Sequence, residues 1–199
     1  MIRNEQIAGL VGAGALALIL GALGFQYLQH LPPCEMCHWQ RWPHIAAAAL
    51  GLIGVSRSDR LAIGTIALGA LVALAAAAQW DMLTGWQPKI LILIIGGLAA
   101  AAAWKKDVRT LAMTVIALVA ISGLIGAYQA GMQWGVLPGP DGCTVAHAYV
   151  LGSGAQPPAV NCNVVTWSLL GLSLAAYNAI FSLGIAAAGA FLLSRKHAA

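Results

Sequence analysis

The chain has 199 residues, 60% of them hydrophobic and only 8% charged, with a mean hydropathy of +0.82. Soluble globular domains are about half apolar and about a quarter charged, so this composition excludes one. The formal charge of +4 does not point to nucleic acid, because Lys and Arg fall in short clusters between apolar runs and form no basic stripe with interleaved aromatics.

The apolar runs, in chain order, span Ile7 to Phe25, Pro43 to Val55, Leu61 to Trp80, Ile90 to Trp104, Leu111 to Tyr128 and Leu169 to Leu193. Crossing a hydrocarbon core of about 30 Å takes about 20 helical residues, so the second and fourth runs suffice only when their aromatic flanks are counted. The first run is followed by no small-residue cleavage site before the first cysteine, and it reads as a helix, not a signal peptide. The expectation is an all-α polytopic membrane bundle of six helices in one domain, 1–199.

Charge sets the predicted topology. Arg3, Arg57, Arg60, Lys105, Lys106, Arg109, Arg195 and Lys196 fall on one side of these helices, and the alternate loops hold only Arg41 and Lys89. The positive-inside rule makes the first side cytoplasmic, with both termini inside. Trp39, Trp42, Trp80, Trp86, Trp134 and Trp167 then gather at the outer boundary and Trp104 at the inner one, as in an interfacial aromatic belt. The outer segments are 26–42, a short turn at 81–89, and 129–166, the last rich in Gly and Pro and therefore expected to be irregular. The Ala-rich tracts read as small-residue packing surfaces between helices.

All four cysteines fall in outer segments. Cys34 and Cys37 form a CxxC in the first, and Cys143 and Cys162 share the last. An even count on an oxidising side argues for two disulfides, of which three pairings are open. Structural staples are one reading of the loop pair, since closing such a loop stabilises by about 3 kcal/mol in the chain-entropy model. A CxxC closes almost no loop, so redox exchange explains it better. A shared zinc site is disfavoured by the spacing of the second pair, and no metal ligands are assigned.

Arg41 stands four positions after Cys37, where the second run begins. On a helix the two would share a face, letting the guanidinium stabilise a Cys37 thiolate or donate to a carbonyl oxygen of a lipid-soluble molecule. Pro43, favoured in a first helical turn, would instead put Arg41 ahead of the helix, and a snorkelling interfacial Arg is the plainer alternative. His38, His44 and His147 receive no role. Trp39, Trp42 and Trp167 could wall a ring-binding pocket or belong to the belt, and Asn178 is expected to hydrogen-bond between helices.

The segment PCEMCHWQRWPH (Pro33 to His44) resembles the disulfide bond formation protein B family, whose motif is a CxxC followed four residues later by Arg at the start of the second helix. AYQAGMQWGVLPGPDGC (Ala127 to Cys143) and NCNVVTWSLLGLSLAAYNA (Asn161 to Ala179) are similar to its later helix end, loop cysteines and final helix. The resemblance implies a quinone-dependent dithiol oxidase of the bacterial inner membrane, with the active cysteines on the periplasmic side. A periplasmic thioredoxin-fold partner would be reoxidised by the Cys143 and Cys162 disulfide, with the mixed disulfide at Cys143. Electrons would pass to Cys34 and Cys37, and Cys37 would face a ubiquinone or menaquinone whose oxygen Arg41 holds.

Two departures follow. The family usually has four transmembrane helices, so the resemblance implies a four-helix redox core plus an extra hairpin between Leu61 and Arg109. Members often carry a His near the end of the helix before the loop pair, where this chain has Gln129 and Ala130. Two alternatives stand beside this reading. A vitamin K epoxide reductase-like protein also combines a membrane CxxC with a loop pair, but in the opposite sequence order. A non-enzymatic membrane protein with two inert disulfides is the other, and the scarcity of charge inside the runs argues against an ion path in it.

Overall fold

The computed structural model describes residues 2–56, 108–140, 143 and 161–195. The third and fourth predicted helices, the 81–89 turn, half of the last outer segment, Trp80, Trp86, Trp104 and His147 lie outside the described residues. The described part is a four-helix bundle: α1 (Asn4–Leu28), α2 (Glu35–Ser56), α3 (Val108–Gln133) and α4 (Leu174–Arg195), with a hairpin of β1 (Ser168–Leu169) and β2 (Leu172–Ser173) ahead of α4.

Three of these helices, α1, α3 and α4, are long and apolar enough to cross a membrane, with mean hydropathies of 2.2, 2.2 and 1.7. They are apolar on every face, as expected where lipid covers the outside. α2 has 22 residues, but its first three turns carry Glu35, His38, Gln40, Arg41 and His44. The protein is a helical membrane protein in which α2 begins with a run of charged and titratable residues.

Local chemistry sets the helix ends. The Gln6 side chain accepts from the Arg3 backbone N–H at 2.8 Å, half of a capping box at the start of α1. Pro32 and Pro33 prevent α1 from continuing, and α2 starts at Glu35, well ahead of the run that begins at Pro43. The turn between them is 29–34, narrower than the 26–42 segment read from sequence. α3 closes in a Schellman motif, with Val136 N–H donating to the Gly131 carbonyl at 2.9 Å and Gly135 N–H to that of Met132 at 3.0 Å. Gly135, at φ +71°, supplies the left-handed residue this motif needs. α4 begins later than its apolar run, because Leu170 and Gly171, at φ 50° and 79°, turn the chain into a hairpin first. The Ser173 hydroxyl then caps α4 by accepting from the Ala176 N–H at 3.3 Å.

The helices run antiparallel in succession. α1 lies along α2, α3 along α4, and α2 along α3, while α1 and α4 touch less than any of these pairs. At the end holding Arg3, Arg109 and Arg195 the core is apolar: Ile7, Ala8, Val11, Leu50, Leu111, Val115 and Val119 pack together. Gly12 and Gly51 bring two backbones into contact there, so that a Cβ added to Gly12 would stand 2.8 Å from the Gly51 Cα. Trp42 does not sit in a belt; it is buried in the bundle against Leu16, Ile19, Ile45 and Ala48. At the opposite end of the bundle lie the cysteines.

Candidate functional site

Pro33 and Cys34 lead into α2, and Cys34 takes the capping position: its Sγ accepts from the backbone N–H of Cys37 at 3.2 Å. Cys34 and Cys37 are free thiols, and Cys143 and Cys162 are joined in a disulfide with Cα atoms 5.4 Å apart. Of the three pairings the sequence left open, the structure has the loop bridge. Cys34, Met36, Met132, Cys143 and Cys162 form one buried cluster with Cys37 against it, so all four predicted cysteines come together. The Cys34 thiol is held well above the usual cysteine range, first by its hydrogen bond with Cys37 and then by burial.

Arg41 lies inside α2, one turn beyond Cys37, with Pro43 in the helix interior. Sequence had allowed Pro43 to start the helix and leave Arg41 outside; the cap at Cys34 starts it earlier. Arg41 is only 6% exposed, and its Nη1 donates to Gln26 Oε1 of α1 at 2.6 Å. A guanidinium buried and bonded in this way is not snorkelling to solvent.

Cys37 and Arg41 share the wall of a cavity of about 320 Å³. Leu18, Gly21 and Phe25 of α1 line it opposite Tyr177 and Phe181 of α4, with Trp167 at the cysteine end. Phe25, Trp167, Tyr177 and Phe181 form a chain of ring contacts. Of the three tryptophans proposed as ring-binding, Trp167 alone lines the cavity; Trp39 is exposed.

Gln40, His44, Gln129 and Asn178 also line the cavity and belong to a polar network that sequence reading mostly missed. Gln129 of α3, 2% exposed, donates through Nε2 to Cys34 Sγ at 3.1 Å, to Cys37 Sγ at 3.8 Å and to the Cys162 carbonyl at 3.3 Å. Its Oε1 accepts from Gln40 Nε2 at 2.5 Å. Asn178 Nδ2 donates to Gln40 Oε1 at 2.7 Å, the interhelical bond expected of Asn178. His44 lies between two buried serines, with Nδ1 3.1 Å from Ser122 Oγ and Nε2 3.0 Å from Ser182 Oγ. Ser122 also donates to the Gln40 carbonyl at 2.7 Å, close to where Pro43 interrupts the helix ladder. The available signal was polar residues at helical spacing within apolar runs, Gln40 with His44 and Asn178 with Ser182.

Comparison with known proteins agrees with this arrangement. The chain matches the sequence profile of disulfide bond formation protein DsbB over residues 4–91 and again over 86–192. Disulfide bond formation protein B of Burkholderia thailandensis is 36% identical over 76 residues, 38% of this chain and 44% of that protein. The Psychromonas ingrahamii protein of the same name is 36% identical over 74 residues, 37% of this chain and 38% of its own length. The one from Dechloromonas aromatica is 28% identical over 190 residues, 94% of this chain and 90% of the relative. The chain thus spans less than half of the first two relatives and nearly all of the third. No solved structure matches it. With its profile matched along nearly the whole length, the chain belongs to the disulfide bond formation protein DsbB family.

Proposed function

We propose that this protein is a quinone-dependent dithiol oxidase of the bacterial inner membrane, with six spanning helices in a single domain, both termini cytoplasmic and the cysteine end facing the periplasm. The location of Arg3, Arg109 and Arg195 at the other end of the bundle supports this orientation. The hairpin between α2 and α3 is an addition to the four-helix redox core.

One observation carries the reading: Cys34 is packed on the Cys143–Cys162 disulfide, while Cys37 and Arg41 line an apolar cavity. The CxxC therefore stands between a sulfur pair on one side and a carrier site on the other. A thioredoxin-fold partner carrying two thiols would attack the loop disulfide at Cys143, which is slightly exposed where Cys162 is fully buried. The partner leaves oxidised and the loop pair reduced. The loop thiols then reduce the Cys34–Cys37 disulfide.

The cavity fits a quinone ring. Its walls are chiefly apolar, its size is that of a small-molecule site, and its charged group is a guanidinium suited to a carbonyl oxygen. A bound quinone, ubiquinone or menaquinone, would supply a two-electron acceptor. Cys37 would give up the electrons, Arg41 would hold the oxygen with its other donor fixed on Gln26, and the aromatic rings would exclude water. The test is Cys37→Ser, expected to abolish quinone reduction by a reduced partner while the protein still inserts and folds. Wild-type turnover in that variant would overturn the reading.

A further inference from the structure

The cysteines and the cavity use the sulfur and the guanidinium but leave the buried amides unexplained. Their orientation follows from hydrogen-bond bookkeeping. The Ser182 hydroxyl donates to Asn178 Oδ1 at 2.9 Å, which turns Asn178 Nδ2 toward Gln40 Oε1. Gln40 must then present Nε2 to the Met36 carbonyl at 3.3 Å and to Gln129 Oε1. Gln129 is left with only its N–H groups for the sulfurs. His44 Nε2 stands 3.0 Å from Ser182 Oγ at the far end of this series. Every donor in the series Ser182, Asn178, Gln40, Gln129 points the same way, and the last one meets Cys34 Sγ at 3.1 Å. Bonds aligned like this polarise one another, and in a dry interior a fixed donor strengthens as its acceptor gains charge.

We propose that Gln129 is a catalytic residue of the exchange between the two cysteine pairs, its carboxamide N–H stabilising the Cys34 sulfur as it leaves, with Gln40 and Asn178 as positioning residues. This deepens the reading above and rests on its premise that the two pairs exchange. In the step, a loop thiolate attacks Cys34 Sγ of the Cys34–Cys37 disulfide; a mixed disulfide forms and Cys37 departs with the electron pair as a thiolate. The second loop thiol then attacks the loop sulfur of that mixed disulfide. The loop disulfide forms, and Cys34 departs as a thiolate facing the Gln129 N–H, taking up the proton the second thiol gives up. The loop pair is oxidised by two electrons and the CxxC pair reduced by two. Gln129 also holds the Cys162 carbonyl, so one amide touches both pairs.

The test needs no quinone. In the full chain carrying Cys143→Ser and Cys162→Ser, the Cys34–Cys37 pair is equilibrated with glutathione. A reduced sulfur accepts the N–H more strongly than a disulfide sulfur does, so Gln129→Leu should move the equilibrium about tenfold toward the disulfide, or about 30 mV. Gln129→His, which keeps a ring N–H donor, should restore part of that shift, and a purely structural role would not produce this rescue. Asn178→Leu, which frees Gln40 to turn over, should move the equilibrium in the same direction by about threefold, and it tests the idea even if Gln129→Leu fails to fold. An unchanged equilibrium in a folded Gln129→Leu or Asn178→Leu protein overturns the proposal and leaves the quinone reading intact. A wild-type protein that exchanges sulfur but reduces no quinone sinks the quinone reading and leaves Gln129 its role.

Discussion

The two ends of the bundle are built on opposite principles. At the end with Arg3, Arg109 and Arg195, the helices meet through small and branched apolar residues, closely enough for the backbones of Gly12 and Gly51 to touch. At the cysteine end they meet through amides, hydroxyls, an imidazole and sulfur, almost every one bonded. Packing forces hold the first end, and they ask nothing of any one side chain beyond its shape. At the second end each polar group depends on its neighbour, since a buried donor or acceptor left unmet costs about 1–3 kcal/mol. The comparison teaches that stability and chemistry are carried by separate halves of the same four helices.

Substitutions can break that division. Leu111→Ala at the apolar end should lower unfolding stability by about 2–5 kcal/mol while leaving the CxxC equilibrium with glutathione unmoved. A shift in both, with stability read by denaturation in detergent, would show that the ends are coupled. Gly51→Ala places a Cβ 2.7 Å from the Ala8 carbonyl and 2.8 Å from the Gly12 Cα, and should cost about 1–3 kcal/mol by forcing α1 and α2 apart. At the cysteine end, Arg41→Met should weaken the apparent affinity for a short-chain ubiquinone about tenfold, with about 1 kcal/mol lost in unfolding because Gln26 Oε1 loses its donor. The smallest effect is spectroscopic. Because the Cys34 thiol is raised by its bond with Cys37 and by burial, it stays protonated as pH rises through the usual cysteine range. Thiolate absorbance of the reduced pair should therefore reach one sulfur and not two by the top of that range.

How much of this was legible in the sequence differs helix by helix. α1 and α3 announce themselves because a span demands about 20 apolar residues and little else competes for that pattern. α2 was placed too late, since hydropathy sees only the stretch after Pro43, whereas the helix is started by a Pro-Cys cap that hydropathy does not register. The start of α4 was misjudged for a related reason: Leu169 and Leu170 are apolar but belong to a tight hairpin. In the site, Cys34, Cys37, Arg41, Cys143 and Cys162 were readable because motif spacing carries them. Gln129 was noted only as the absence of a histidine. Its contacts with Cys34, Cys37 and Gln40 depend on how α3 is rotated against α2, and spacing along one helix does not encode that rotation. Trp42 shows the converse: its residue type suits the membrane boundary, but its position faces Leu16 and Ile19.

The cavity lies along the loose seam between α1 and α4, and an added side chain at Gly21 on its wall would meet nothing within 4 Å. A molecule reaching Cys37 by that seam arrives sideways out of the lipid. For the proposed oxidase, saturation is then governed by how many carrier molecules share each patch of bilayer. Fusing the protein's vesicles with plain phospholipid should slow turnover, whereas diluting the same vesicles in buffer should leave it unchanged.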